Sequence, residues 1–188
     1  MSDKTYPVLR NFELVDIWNA AALVYKYGNI DQQALKLYRH AGELCEGVQK
    51  MHHLDAAAAA GKFVTALVGV TAFAGICPDE LDEIYQDAGV KATARTPQQA
   101  ACDLVRVTTT MVHDLNHWLS PAGGTMARAI AISAICEVFC VLKQNATVNG
   151  FILDRCIENA TTVLMRKTGK LNELGQFCAE PEPTDTVE

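Results

Sequence analysis

The chain has 188 residues, 49% hydrophobic and 20% charged, which excludes a disordered polymer and suits one ordinary domain or two small repeats sharing a core. At this length roughly 70% of the unfolded surface can be buried, so neither disulfides nor a structural metal are required. The net charge is −6, from 22 acids against 16 bases. That balance offers no basic face for general nucleic-acid binding.

Residues 1–10 read as an N-terminal arm. Asn11 can cap a first helix carrying Leu14, Ile17, Trp18, Ala21, Ala22 and Tyr25, ending near Gly28-Asn29. Asp31 can cap a second, with Ala34, Leu37, Ala41, Leu44 and Val48 on one stripe. From Asp55 to Gly75 the sequence is alanine-rich and then apolar all round, which predicts a buried central helix. Its most apolar part, Phe63 to Cys77, is shorter than the roughly 20 residues a membrane span needs. Pro78 suits the first turn of a short helix bearing Leu81, Ile84 and Tyr85.

After Thr96-Pro97 the pattern restarts. A long helix is expected to Leu119, where Ser120-Pro121-Ala122-Gly123-Gly124 breaks it. A second apolar helix covers about 125–143, and a last one runs from 147 or 149 to about 167. No segment alternates as a strand bounded by hairpin turns, so the expected class is an all-α helical bundle. In a register of 67 positions Leu37-Tyr38-Arg39 meets Leu104-Val105-Arg106 and Gln32 meets Gln99. This predicts two tandem degenerate repeats, 11–95 and 96–178, packed as a pseudo-dimer within one chain. Glu180, Glu182, Asp185 and Glu188, beside Pro181 and Pro183, make 179–188 an acidic tail that reads as disordered. Without those four acids the body holds 18 acids against 16 bases.

Seven cysteines occur without a CxxC pair, so zinc knuckles are not expected and the thiols read as reduced core residues. No basic n-region followed by an apolar segment opens the chain. A cytoplasmic protein with no membrane partner is the expectation, with homo-oligomers possible through its apolar helices.

The stretch from Leu37 through Arg39, His40, Glu43 and Leu44 to Lys50 resembles the first metal-binding helix of the MazG-like all-α nucleoside triphosphate pyrophosphohydrolases. Ala59 through Lys62 to Val68 sits where that family places a second acidic helix. Gly75 to Tyr85 is similar to its connection and short helix, and Cys156 to Gly175 to its terminal Asn/Lys segment. The likeness spans about 31–177. In the family, glutamates and aspartates at i, i+3 and i+4 share helix faces, hold Mg²⁺ against a triphosphate and activate the attacking water.

This chain departs from that pattern at the acids. Arg39 and His40 replace the paired glutamates and only Glu43 is kept; Ala59 and Lys62 stand on the next helix. The second half offers Arg106, Val107, Thr110, Arg128 and Ala131 instead. The resemblance therefore implies a pseudoenzyme without a metal cofactor. Its former pocket would be lined by Arg39, His40, Glu43, Lys62, Arg106, Arg128, Lys91 and Lys170. Such donors suit a nucleotide, a nucleotide-derived signal or another phosphorylated small molecule, or a protein partner in the same place. The plainer alternative pairs Arg39, Lys62 and Arg106 with Glu43, Glu46 and Asp103 on the bundle surface. Two further readings stay open: an active Mg²⁺-dependent pyrophosphohydrolase using Glu43, Glu46, Asp55 and Asp114, and a purely structural assembly protein.

His113-Asp114-Leu115-Asn116-His117 places two histidines at i, i+4 on one helix face, a spacing that metal sites use. The His-Asp pair is also similar to HD-type phosphohydrolases, for whose other ligands His52-His53 and Asp154 are loose candidates. Asp114, one position on, is expected to point away from His113, and a capping or solvent-facing role is the simpler expectation. Walker, dinucleotide and GxSxG motifs are absent.

Overall fold

A computed structural model describes residues 8–90, 96–171 and 177–179. The chain is all-α, with helices α1 (Val8–Ala21), α2 (Val24–Tyr27), α3 (Ile30–Gln49), α4 (His53–Phe73), α5 (Pro78–Asp87), α6 (Pro97–Leu119), α7 (Thr125–Asn149) and α8 (Leu153–Met165). A short antiparallel ribbon follows, β1 (Gly169–Leu171) against β2 (Phe177–Ala179), with Lys170 opposite Cys178. Sequence reading expected no strand; three-residue segments are too short to show an alternating pattern. Residues 1–7, 91–95, 172–176 and 180–188 lie outside the described part, and with them most of the expected arm and the acidic tail.

Three helix starts differ from expectation. The last helix, expected from 147 or 149, begins at Leu153, because α7 continues through those positions to Asn149 and stops at Gly150 in the left-handed conformation. The first helix begins at Val8, so Asn11 is a buried helical residue and not the cap. It also breaks at Leu23, which adopts a left-handed φ of 58°, before α2 resumes. In α3 the cap is Asn29, whose side chain accepts from the Gln32 backbone N–H, while Asp31 lies in the first turn. There its carboxylate faces the positive end of the helix dipole. Thr96 caps α6 through a capping box with Gln99. The caps of α3 and α6 thus stand 67 positions apart, as do the two glutamines that answer them.

α3 and α4 form an antiparallel hairpin, and α6 and α7 another, with α3 lying along α6. The short helices are exchanged between them: α5 packs on α7, while α8 packs on α4. α1 touches α4, α5 and α8 and closes the end of the bundle. Two glycines permit the tightest crossings. A Cβ at Gly47 would stand 2.7 Å from the Ala56 backbone nitrogen, and one at Gly61 only 2.1 Å from the Cys156 carbonyl oxygen. These small residues let α3 and α8 approach α4 backbone to backbone.

The core is continuous from Phe12 through Leu37, Leu44, Phe63 and Leu67 to Leu104, Met111, Ile135 and Phe139, all fully buried. The alanine-rich lead into α4 is continuous with the apolar run after it. α4 therefore reaches 21 residues, and it and α7 are long and apolar enough to cross a membrane by length and composition alone. Two-thirds of the apolar window of α4, and half that of α7, is buried inside the bundle.

Polar side chains tie the exchanged short helices down. Lys143 on α7 donates to the carbonyls of Tyr85 and Ala88, at 2.6 and 2.8 Å, and caps the negative end of α5. The Tyr85 hydroxyl donates to Asp154 at the start of α8. Among the described cysteines Cys156 is buried, Cys45, Cys136 and Cys140 are half-buried, and Cys77 and Cys102 are exposed. Cys45, Cys136 and Cys140 pack against the core as expected, and Cys77 and Cys102 depart from that expectation.

Candidate functional site

Four of the anticipated residues meet on one edge of the α3–α4 hairpin. Arg39 and His40 are adjacent on α3 with Glu43 one turn further on, and Lys62 reaches across from α4. Glu43 is the centre. It accepts from His40 Nδ1 at 2.9 Å, while Arg39 Nε lies at 3.4 Å and Lys62 Nζ at 3.7 Å. Arg39 Nη2 in turn donates to His40 Nε2 at 3.2 Å. With a carboxylate on one ring nitrogen and a guanidinium on the other, the imidazole is the neutral Nδ1–H tautomer.

The electrostatics agree with that assignment. Burial pushes the His40 pKa below its ordinary 6.5, and the positive charges of Arg39 and Lys62 add to the shift against the pull of Glu43. Burial alone would raise Glu43. The His40 hydrogen bond and the charges of Lys62 and Arg39 outweigh it and hold the carboxyl below its ordinary 4.5.

Both groups bind fewer protons folded than unfolded, so stability falls on acidification. The His40 contribution is present above about pH 6.5 and is lost as the pH falls below it; that of Glu43 is lost below about pH 4.5. Urea unfolding of His40→Gln at a series of pH values is expected to show the lower window alone. An unchanged loss of stability between pH 6.5 and 5 in that variant would refute the assignment.

Two further bases extend this edge and were not anticipated. Lys36 sits one turn before Arg39 on α3 and is half-buried. Burial, then the charges of Arg39 and of Lys167 beyond α8, push its pKa down from 10.5. Lys36 and Lys167 are 131 positions apart, and no local spacing could have joined them.

The other expected donors are elsewhere. Arg106 on α6 pairs with Asp103 at 3.5 Å and with Glu137 of α7 at 3.7 Å. Arg128, in the first turn of α7, bonds Glu80 of α5 and lies over the Trp118 ring, 5.5 Å from its centroid. The single pocket lined by all these bases does not form; two of its arginines serve helix packing. Lys91 lies outside the described residues, as does the side chain of Lys170, whose backbone belongs to β1.

Beside the cluster an open groove of about 250 Å³ runs between the C-terminal half of α3 and the first turns of α4. Its polar lining is Glu43, Glu46, Lys50, Asp55 and Lys62. The acids of the enzymatic alternative are engaged here by the chain's own bases: Glu46 by Lys50 at 2.5 Å and Asp55 by His52 at 3.3 Å. Asp114 lies on α6, bonded to His113. Among the described residues no three His, Cys, Asp or Glu side chains are grouped so as to hold a metal ion. No family profile, curated protein or solved structure matches this chain.

Proposed function

We propose that the protein is a non-hydrolysing relative of the MazG-like enzymes that binds a phosphorylated small molecule, a nucleotide or a nucleotide-derived signal, at the Arg39–His40–Lys62 edge. The observation that carries this reading is the charge balance there. Arg39 and Lys62 share one carboxylate, Glu43, while Lys36 and Lys167 add like charge close by. A phosphate group would supply the missing negative charge and accept from the Arg39 guanidinium and the Lys62 ammonium group. The site needs no cation, because the protein's own bases stand where a metal would neutralise the ligand. The reading keeps the protein in the cytoplasm, with its two apolar helices serving as bundle helices.

The duplicated architecture belongs to the same proposal. Helices α3 and α6 begin 67 positions apart with a side-chain cap at each, and the short helix of each half packs on the long helix of the other. A pseudo-dimer of two degenerate repeats explains both. The second half would then have lost its pocket, since Arg106 and Arg128 are spent on packing.

Calorimetric titration with nucleoside di- and triphosphates, without metal, tests the reading. Arg39→Ala and Lys62→Ala are each expected to weaken binding about tenfold, the loss of one charge-assisted hydrogen bond worth about 1.5 kcal/mol. Absence of binding by every nucleotide, and by pyrophosphate, would overturn it. Release of pyrophosphate with Mg²⁺, abolished by Glu43→Gln, would establish the enzymatic alternative. An assembly protein would instead show concentration-dependent oligomers and no response to either substitution.

A further inference from the structure

The second half of α6 carries chemistry that the α3–α4 edge does not use. Among the five histidines, His113 and His117 are the one pair separated by four residues. α6 is continuous through both positions, so their side chains leave the same face one turn apart. Both are exposed to solvent, His113 with 80% of its side chain free. Asp114 does not point away, as the sequence suggested. Its Oδ1 lies 3.1 Å from His113 Nδ1, and the carboxylate itself is only 18% exposed.

We propose that His113 and His117 form a two-histidine clip for a divalent transition-metal ion of the Ni²⁺, Cu²⁺ or Zn²⁺ class, with Asp114 as the carboxylate that orients His113. By accepting the Nδ1 proton, Asp114 fixes the tautomer that leaves the Nε2 lone pair directed outward. That is the carboxylate–histidine–metal arrangement which sets ring orientation and raises ligand basicity. Imidazole pairs suit these borderline ions rather than Mg²⁺ or Ca²⁺. With two protein ligands the remaining positions belong to water or to a ligand carried in by the ion, so the site is open.

The other histidines do not compete on equal terms. His52 precedes α4 in a non-helical conformation while His53 opens the helix, so the two lack the one-turn spacing, and His52 is turned to Asp55. His40 is buried with both ring nitrogens engaged. The clip lies on α6, whereas the phosphate edge lies on α3 and α4, so the two proposals stand or fall separately.

Calorimetric titration of the full chain, kept reduced, with NiCl₂ tests the clip. A single-site isotherm is expected that disappears in His113→Ala and in His117→Ala, and weakens about tenfold or more in Asp114→Asn. His52→Ala is expected to bind as the unaltered chain does. The substituted positions are exposed, and far-UV circular dichroism checks that each variant keeps its helices. Binding retained in either α6 histidine variant would place the metal on other histidines or on Cys77 and Cys102, and would overturn the proposal. So would no binding by the unaltered chain. Undiminished binding by Asp114→Asn would overturn the orienting role of the carboxylate.

Discussion

Gly61→Ala is expected to lower the unfolding free energy by about 3 kcal/mol. The added methyl would meet the Cys156 carbonyl oxygen at 2.1 Å, its carbon at 2.7 Å and the Ala160 Cβ at 3.0 Å. The first two are helix backbone, which cannot rotate aside as a long side chain would. Helix α8 must move off α4 as a body, opening contacts around Ile157 and Leu153. Alanine gains about 1 kcal/mol of helix propensity over glycine, so the clash has to exceed that gain before any loss appears.

Gly42 supplies the control. It is exposed on α3 and an added Cβ would meet nothing within 4 Å, so Gly42→Ala is expected to stabilise by roughly 0.5–1 kcal/mol. Urea unfolding of the two variants, read as midpoint shifts of opposite sign, checks the pair. Equal shifts would refute the close crossing. The consequence reaches the proposed site, because Lys62 is the neighbour of Gly61 and Lys167 follows α8. A displaced α8 would carry Lys167 away from Lys36, and anion binding should weaken along with stability.

The second large effect is expected at Phe139. Its ring is fully buried on α7, 5.1 Å from that of Tyr85 at an interplanar angle of 86°, and 6.3 Å from that of Phe12 at 21°. Phe12 and Tyr85 meet edge to face at 6.1 Å. Three elements, α1, α5 and α7, therefore share one aromatic cluster. Phe139→Ala removes its centre and is expected to cost about 3–5 kcal/mol through lost burial and the cavity left behind. For a chain of this size that lowers the melting temperature by roughly 10 °C.

Phe139→Leu keeps most of the volume and should cost about 1.5 kcal/mol or less. The comparison separates cavity formation from a specific ring effect, and thermal unfolding by calorimetry measures both. Comparable losses in the two variants would mean that ring geometry, not volume, holds the cluster. The same ring supports Tyr85, whose hydroxyl bonds Asp154 and whose carbonyl is capped by Lys143. Loosening it should also release α5 from α7.

Much of the helical order is written locally. The breaks at Gly28-Asn29, Pro78, Thr96-Pro97 and Ser120–Gly124 fall at helix boundaries because proline, glycine and capping side chains act within one turn. The stripe Ala34, Leu37, Ala41, Leu44 and Val48 faces the core because a period of 3.6 leaves it no other dry face. The clustering of Arg39, His40 and Glu43 is local as well, since Glu43 lies four positions after Arg39 and three after His40, the two spacings that meet on a helix surface.

What local spacing does not contain is which helix comes next to which. Arg106 and Arg128 match Arg39 and Lys62 in residue type, yet Glu137 and Glu80 claim them from other helices. The charge of Lys167 reaches Lys36 across 131 positions of sequence, in a fold where α8 packs on α4. Asp114 turned toward His113 against the expectation from its position, because a side-chain rotamer is decided by its packed surroundings and not by the helical angle alone. By itself the amino-acid sequence determined an all-α chain, those helix limits that proline, glycine or a capping side chain marks, and a basic and acidic set on α3; the α7–α8 junction and the break at Leu23 it did not. Only the tertiary structure decided which bases pair between helices and which lie along the open α3–α4 edge. The reason is physical: periodicity and caps act over a few residues, whereas ion pairing between helices depends on crossings set by backbone approach at a few small residues.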